Sequence, residues 1–152
     1  MLSQRQAGDL IGMEKAVEKA TVEFPIPGET LTIPAQSIDG RERFQLDIER
    51  GRRNPGKWKM QLRYRNIHIL VRLDIGGPAH PNPRKAPSRF LAEFEGLRMP
   101  TPHLQKYVEG FGDSWAVPVP GEFSNLNDPL VTWEQFLIYC NVTQTPAAQG
   151  RF

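Results

Sequence analysis

Two stretches between Lys57 and Ile75 alternate in polarity residue by residue, and few folds can satisfy that pattern. In Lys57–Arg65 the even positions Trp58, Met60, Leu62 and Tyr64 are apolar, and the odd positions are basic or amide. In Ile67–Ile75 the odd positions are apolar. Alternation of this kind requires strands with one face buried and one face in water. With Arg65-Asn66 as a two-residue turn, Tyr64 faces Ile67, Leu62 faces Ile69 and Met60 faces Val71. The wet face then carries Lys57, Lys59, Gln61, Arg63, His68, Arg72 and Asp74.

A chain of 152 residues is expected to form one domain, residues 1–152, with a real core. A formal net charge of +2 does not mark a nucleic-acid binder, so any such function depends on where the cations sit. Cys140 is the only cysteine, which excludes an internal disulfide and a cysteine-rich zinc site. No run approaches the roughly 20 apolar residues of a membrane helix, and the N-terminus lacks the apolar stretch of a signal peptide. A cytoplasmic protein is expected.

Leu10, Met13, Val17 and Ala20 recur at helical spacing and predict an amphipathic helix over 4–20. Residues 21–75 read as strands and hairpins, with 21–26 and 30–33 as return partners around Pro27-Gly28 and a further strand at 43–50. Residues 76–102 read as a long Pro/Gly-rich loop holding a short helix after Ser88, ended by Gly96. Residues 103–119 contribute two more strands. Asp128-Pro129 opens a C-terminal helix over 129–141, with a capping box expected from Thr132 and Gln135 and an apolar stripe of Trp133, Phe136, Leu137 and Cys140. The tail 143–152 is expected to fray. The fold class is α+β: a mainly antiparallel sheet of five to six strands with the N-terminal and C-terminal helices packed on its apolar face.

Two candidate sites follow. Arg52, Arg53, Lys57, Lys59, Arg63 and Arg65, with Arg72, form a basic sheet face suited to phosphates. The plainer reading is a solvated face balanced by Asp47, Glu49 and Asp74. A histidine beside arginines can move a proton while a guanidinium stabilises a phosphorane-like transition state. On that basis His103 or His80 would be the acid or base, Arg63 and Arg72 would hold phosphate, and Asp74 would orient one of them. The plainer reading makes His80 a loop-packing residue and His103 a strand-edge residue. The histidines lack metal-motif spacing and the glycine pair 76–77 lacks nucleotide-motif spacing, so no metal and no cofactor is expected.

The segments Arg72-Leu73-Asp74-Ile75-Gly76-Gly77, His80-Pro81-Asn82-Pro83 and Pro102-His103-Leu104-Gln105-Lys106-Tyr107 resemble a family of small uncharacterised bacterial proteins, a domain of unknown function. The shared pattern is R-L-D-x-G-G, H-x-N-P and P-H-x-H-x-Y. It departs at Arg84-Lys85, where aspartate-glycine is expected, and at Gln105, where the second histidine is expected. The resemblance implies a fold and a site location, and any histidine-based site would be incomplete here. The element order is also similar in outline to small ribonuclease toxins of toxin–antitoxin pairs.

The function expected from these readings is nucleic-acid-directed, in the form of a metal-independent endoribonuclease acting on RNA. The alternative is a non-catalytic binding or inhibitor module from a mobile element, with a protein partner such as an antitoxin or a host complex.

Overall fold

A computed structural model describes residues 1–19 and 21–150. Helices α1 (Gln4–Gly12), α2 (Arg89–Ala92) and α3 (Pro129–Tyr139) accompany twelve strands: β1 (Lys15–Val17), β2 (Thr21–Glu23), β3 (Thr30–Ser37), β4 (Arg43–Arg50), β5 (Trp58–Tyr64), β6 (His68–Ile75), β7 (His80–Pro81), β8 (Arg98–Met99), β9 (His103–Lys106), β10 (Ala116–Pro118), β11 (Val142–Gln144) and β12 (Ala147–Gln149). Eight of them form one sheet in the order β10-β9-β6-β5-β4-β3-β1-β11. All its neighbours are antiparallel except β1 and β11. The class is α+β as expected, but the sheet is larger than five to six strands.

The core lies on one face of this sheet. Phe44, Leu46 and Ile48 of β4, Met60 and Leu62 of β5, and Val71 and Leu73 of β6 meet Ala7, Leu10 and Ile11 of α1 and Trp133, Phe136 and Leu137 of α3. The apolar stripe read from the sequence is therefore the buried side of α3, and Asp128 caps it by accepting from the amides of Leu130 and Val131. The expected Thr132–Gln135 capping box does not form. Thr132 donates to the carbonyls of Asn125 and Asp128, while Gln135 bonds Ser124.

The N-terminal helix ends at Gly12, not at residue 20. It starts with a capping box in which Ser3 and Gln6 exchange hydrogen bonds. After Met13 the chain straightens, and all three residues of β1 are buried. Apolar spacing that suits a helix also suits this short inner strand, whose two sides are both covered. Ala20 lies outside the described residues. Lys15, read as a helix-surface charge, is fully buried, and its ammonium donates to the carbonyls of Ile11, Met13 and Cys140 at 2.9, 2.7 and 2.8 Å. The ring of Phe44 lies 4.8 Å from the same nitrogen.

The expected 21–26/30–33 hairpin is absent, because β2 pairs in parallel with β12 and β3 pairs with β1 and β4. The tail expected to fray instead supplies β11 and β12. The 76–102 loop carries the β7–β8 pair and α2.

The central hairpin forms with a different register. Arg65 and Asn66 have φ of 51° and 66°, as a type I′ turn needs. Yet Tyr64 pairs with His68, Leu62 with Val71 and Met60 with Leu73. The shift between Leu62 and Arg63 leaves Leu70 as an extra residue in β6. The two-residue shift for Met60 preserves the faces. The bulge, however, turns His68 to the side of Tyr64, where the rings stack at 6.2 Å. His68 therefore does not join the polar face.

Candidate functional site

The polar face of the sheet is a ladder of alternating charge. Directly paired residues run Glu49, Lys59, Asp74 and His103 across β4, β5, β6 and β9. The adjacent row runs Asp47, Gln61, Arg72 and Gln105. Opposite charges facing each other across a ladder attract, so Lys59 and Arg63 find their partners on the next strand, while Arg72 finds Asp74 two residues along its own. Lys59 meets Glu49 at 3.0 Å. Arg63 grips Asp47 with two nitrogens, at 2.6 and 2.9 Å, and Asp47 also accepts from Gln61 and Thr32. Burial works against the charged form of Asp47, but these hydrogen bonds outweigh it and hold its carboxyl below the ordinary range. Arg72 grips Asp74 at 2.7 and 2.8 Å and reaches Asp113 at 3.3 Å.

His103 is 1% exposed and faces acceptors on both sides. Its Nδ1 lies 3.1 Å from the carbonyl of Met99 and 3.3 Å from that of Pro100. Its Nε2 lies 3.1 Å from Gln105 Oε1 and 3.5 Å from Asp74 Oδ2. Gln105 donates its own amide to the carbonyl of Asp113, which fixes Oε1 toward the ring. A ring with acceptors at both nitrogens favours the imidazolium. Burial opposes that charge, but Asp74 and the two carbonyls raise the pKa above the ordinary histidine value. In return, the bonds from His103 and Arg72 overcome burial and pull Asp74 down to about 2.

His80 and Asn82 belong to the turn that docks the 76–102 segment. His80 Nε2 lies 2.7 Å from the carbonyl of Ser114. Two residues on, Asn82 donates to the carbonyl of Ala116 and accepts from its amide, both at 2.8 Å. The side-chain amide pairs with the outer edge of β10 as another strand would, and so covers that edge. The Nδ1 of His80 makes no hydrogen bond among the described residues, and its ring centre lies 6.0 Å from that of His103.

The structure brings Lys57, Lys59, Arg72, Asp74, His80 and His103 around one small cavity of 130 Å³. It does not bring Arg63 there, since that residue is held on Asp47. Arg65 sits at the opposite end of β5 from Lys57, over the ring of Tyr64 and 3.8 Å from Glu42. Arg52 and Arg53 are exposed in the β4–β5 turn. Among the described residues, no group of three His, Cys, Asp or Glu side chains could hold a metal ion, and no helix is long and apolar enough to cross a membrane.

Sequence reasoning missed a second and larger concavity, a cleft of 750 Å³ where the core face of the sheet runs past the helices. Leu104 and Val117, paired across β9 and β10, line it together with Phe90 and Phe94 from the α2 segment and Tyr107 and Tyr139. Phe90, 71% exposed, leaves its ring open to solvent. Trp115 also lines the cleft and is buried, and its indole N–H has no partner among the described residues. The signal in the sequence was the group Phe90, Phe94, Trp115 and Val117, scattered through proline-rich segments where neither strand nor helix periodicity exposes a shared face.

The model of a family of unknown function, DUF6978, matches residues 2–142, and the chain belongs to that family. No curated protein and no solved structure matches it.

Proposed function

We propose that this member of the DUF6978 family is a non-catalytic binding module whose binding surface is the apolar cleft beside β10. The observation that carries the reading is the cleft itself. Its 750 Å³, aromatic lining and few polar groups are the features of a small-molecule site, for which about 300–1,000 Å³ is usual. Three of the groups suited to catalysis, His103, Arg63 and Arg72, are occupied elsewhere. His103 has both ring nitrogens on acceptors, and Arg63 and Arg72 are each held by two bonds to a carboxylate. Binding phosphate with Arg63 or Arg72 would require stripping a partly buried aspartate of its partner, which costs several kcal/mol, on the order of 3–5.

The test is direct. The purified chain is titrated with N-phenyl-1-naphthylamine, which fluoresces in apolar surroundings, and incubated separately with total RNA. Saturable fluorescence is expected, reduced at least tenfold in affinity by Val117→Glu, with the RNA left intact. Absence of probe binding overturns the reading, as does RNA cleavage that disappears in His103→Ala and Arg63→Ala.

A second reading, RNA-directed action with His80 as base, is favoured by one observation. His80 keeps Nδ1 unbonded among the described residues and lines the 130 Å³ cavity with Lys57, and Arg52 and Arg53 lie exposed in the turn just before Lys57. Cleavage lost in His80→Ala but retained in His103→Ala would select it.

A further inference from the structure

We infer that the ligand of the cleft is a small amphipathic carboxylate, its apolar body against Phe90, Phe94 and Val117 and its anionic head on Lys106. This rests on the reading of the cleft as the binding surface.

Charge complementarity supplies the first argument. Two charged residues line the cleft, Lys106 and Glu109. Glu109 is already engaged: its carboxylate accepts from the amide of Gln4 at 3.0 Å, at the first turn of α1, where a negative charge is favoured. The Gln4 side chain in turn accepts from the amide of Glu109 and donates to the carbonyl of Tyr107. Lys106 is exposed and meets no carboxylate among the described residues. Its ammonium lies 5.7 Å from the ring centre of Tyr139, which also lines the cleft. An unpaired cation at the rim of an apolar hollow matches a ligand that is apolar at one end and anionic at the other.

The edge of the sheet supplies the second argument, because it excludes a peptide that adds as a further strand. A peptide would add to β10 through backbone hydrogen bonds. The amide and carbonyl of Ala116 are both taken by Asn82, and Pro118 has no N–H to offer. With the strand edge closed to backbone pairing, recognition at the cleft falls to side-chain contact in a hollow, a mode that suits a small molecule.

The experiment displaces bound N-phenyl-1-naphthylamine with decanoate, decanol or decylammonium at low salt. Decanoate is expected to compete about tenfold better than decanol, the value of one charge-assisted bond, and decylammonium worse than either. Lys106→Met should bring decanoate down to the level of decanol, and Lys106→Arg should keep the preference, with circular dichroism reporting the fold of each variant. Equal competition by decanoate and decanol, or a preference that survives Lys106→Met, overturns the assignment of the ligand while leaving the cleft as a site. Failure of the probe to bind at all removes the site and the ligand together.

Discussion

The ammonium of Lys15 lies 2.8 Å from the carbonyl of Cys140, joining the start of the first strand to the end of the last helix. Its other two protons go to Ile11 and Met13, at the end of α1. Three donors meet three acceptors, two of these bonds fully buried and the one to Met13 partly so, and each acceptor is a carbonyl that a helix end leaves without an intrahelical partner. Lys15→Met strands all three. The relief of an expensive buried charge offsets part of that loss, and the net destabilisation is expected at about 2 kcal/mol by urea unfolding.

Burial pulls the Lys15 pKa down to about 8, partly countered by Cys140. Between pH 8 and the ordinary 10.5 the unfolded chain holds a proton that the folded chain has released. Stability should therefore rise with pH across that window, by about 3 kcal/mol at most. The difference between wild type and Lys15→Met, measured from pH 7 to 10.5, isolates this term, and a flat difference would refute it.

Asp74 and His103 predict opposite pH dependences. With its pKa drawn down to about 2, Asp74 contributes stability that is complete above 3.8 and lost as pH falls toward 2, about 2 kcal/mol in all. His103, raised above 6.5, contributes stability that is complete below 6.5 and lost as pH rises through its folded pKa. Nitrogen NMR of the ring should find His103 as the imidazolium at pH 6.5. Asp74→Asn should lower its pKa and flatten the acid limb of the stability curve.

Asp47→Asn should cost about 2–3 kcal/mol, because Arg63, Gln61 and Thr32 all converge on that carboxylate. The same change frees a guanidinium on the polar face. Heparin affinity measured against salt concentration should therefore rise in the variant, with a steeper salt slope than wild type.

Asn82→Ala removes both bonds to Ala116 and a third, at 3.2 Å, to the carbonyl of Phe94. A loss of about 2 kcal/mol is expected. Since Phe90 and Phe94 ride on the same segment, the affinity for N-phenyl-1-naphthylamine should fall as well, and a variant that still binds the probe normally would show that the cleft holds its shape without this tether.

The central strands were legible in the sequence because polarity alternation is a local signal that the finished sheet obeys. Trp58, Met60, Leu62 and Tyr64 do share the core face, and Asp128-Pro129 does open α3. The register was not legible: a bulge at Leu70 inserts one residue, and nothing in the types of residues 67–71 distinguishes it from an unbroken strand. β1 escaped because three buried residues carry no period. The neutralisation of the polar face was legible in part, since Asp47, Glu49 and Asp74 were read as its balancing carboxylates and Arg72 does pair with Asp74 along its own strand. The particular partners were not: Asp47 comes to Arg63 from β4, and Asp113 to Arg72 from the segment before β10, pairings that only the folded chain reveals. Asn82 stood in a quoted motif, but its role as a substitute strand becomes visible only when Ala116 is placed beside it.

The parallel pairing of β1 with β11, and of β2 with β12, has a consequence for how the chain is made. β1 and β2 emerge from the ribosome with these hydrogen-bonding edges bare and must wait until β11 and β12 have been made before their mates arrive. Until Val142–Gln144 is translated, the edge of β1 away from β3 is available to any other extended segment. A nascent chain stalled before that point would be the form most prone to associate with its neighbours.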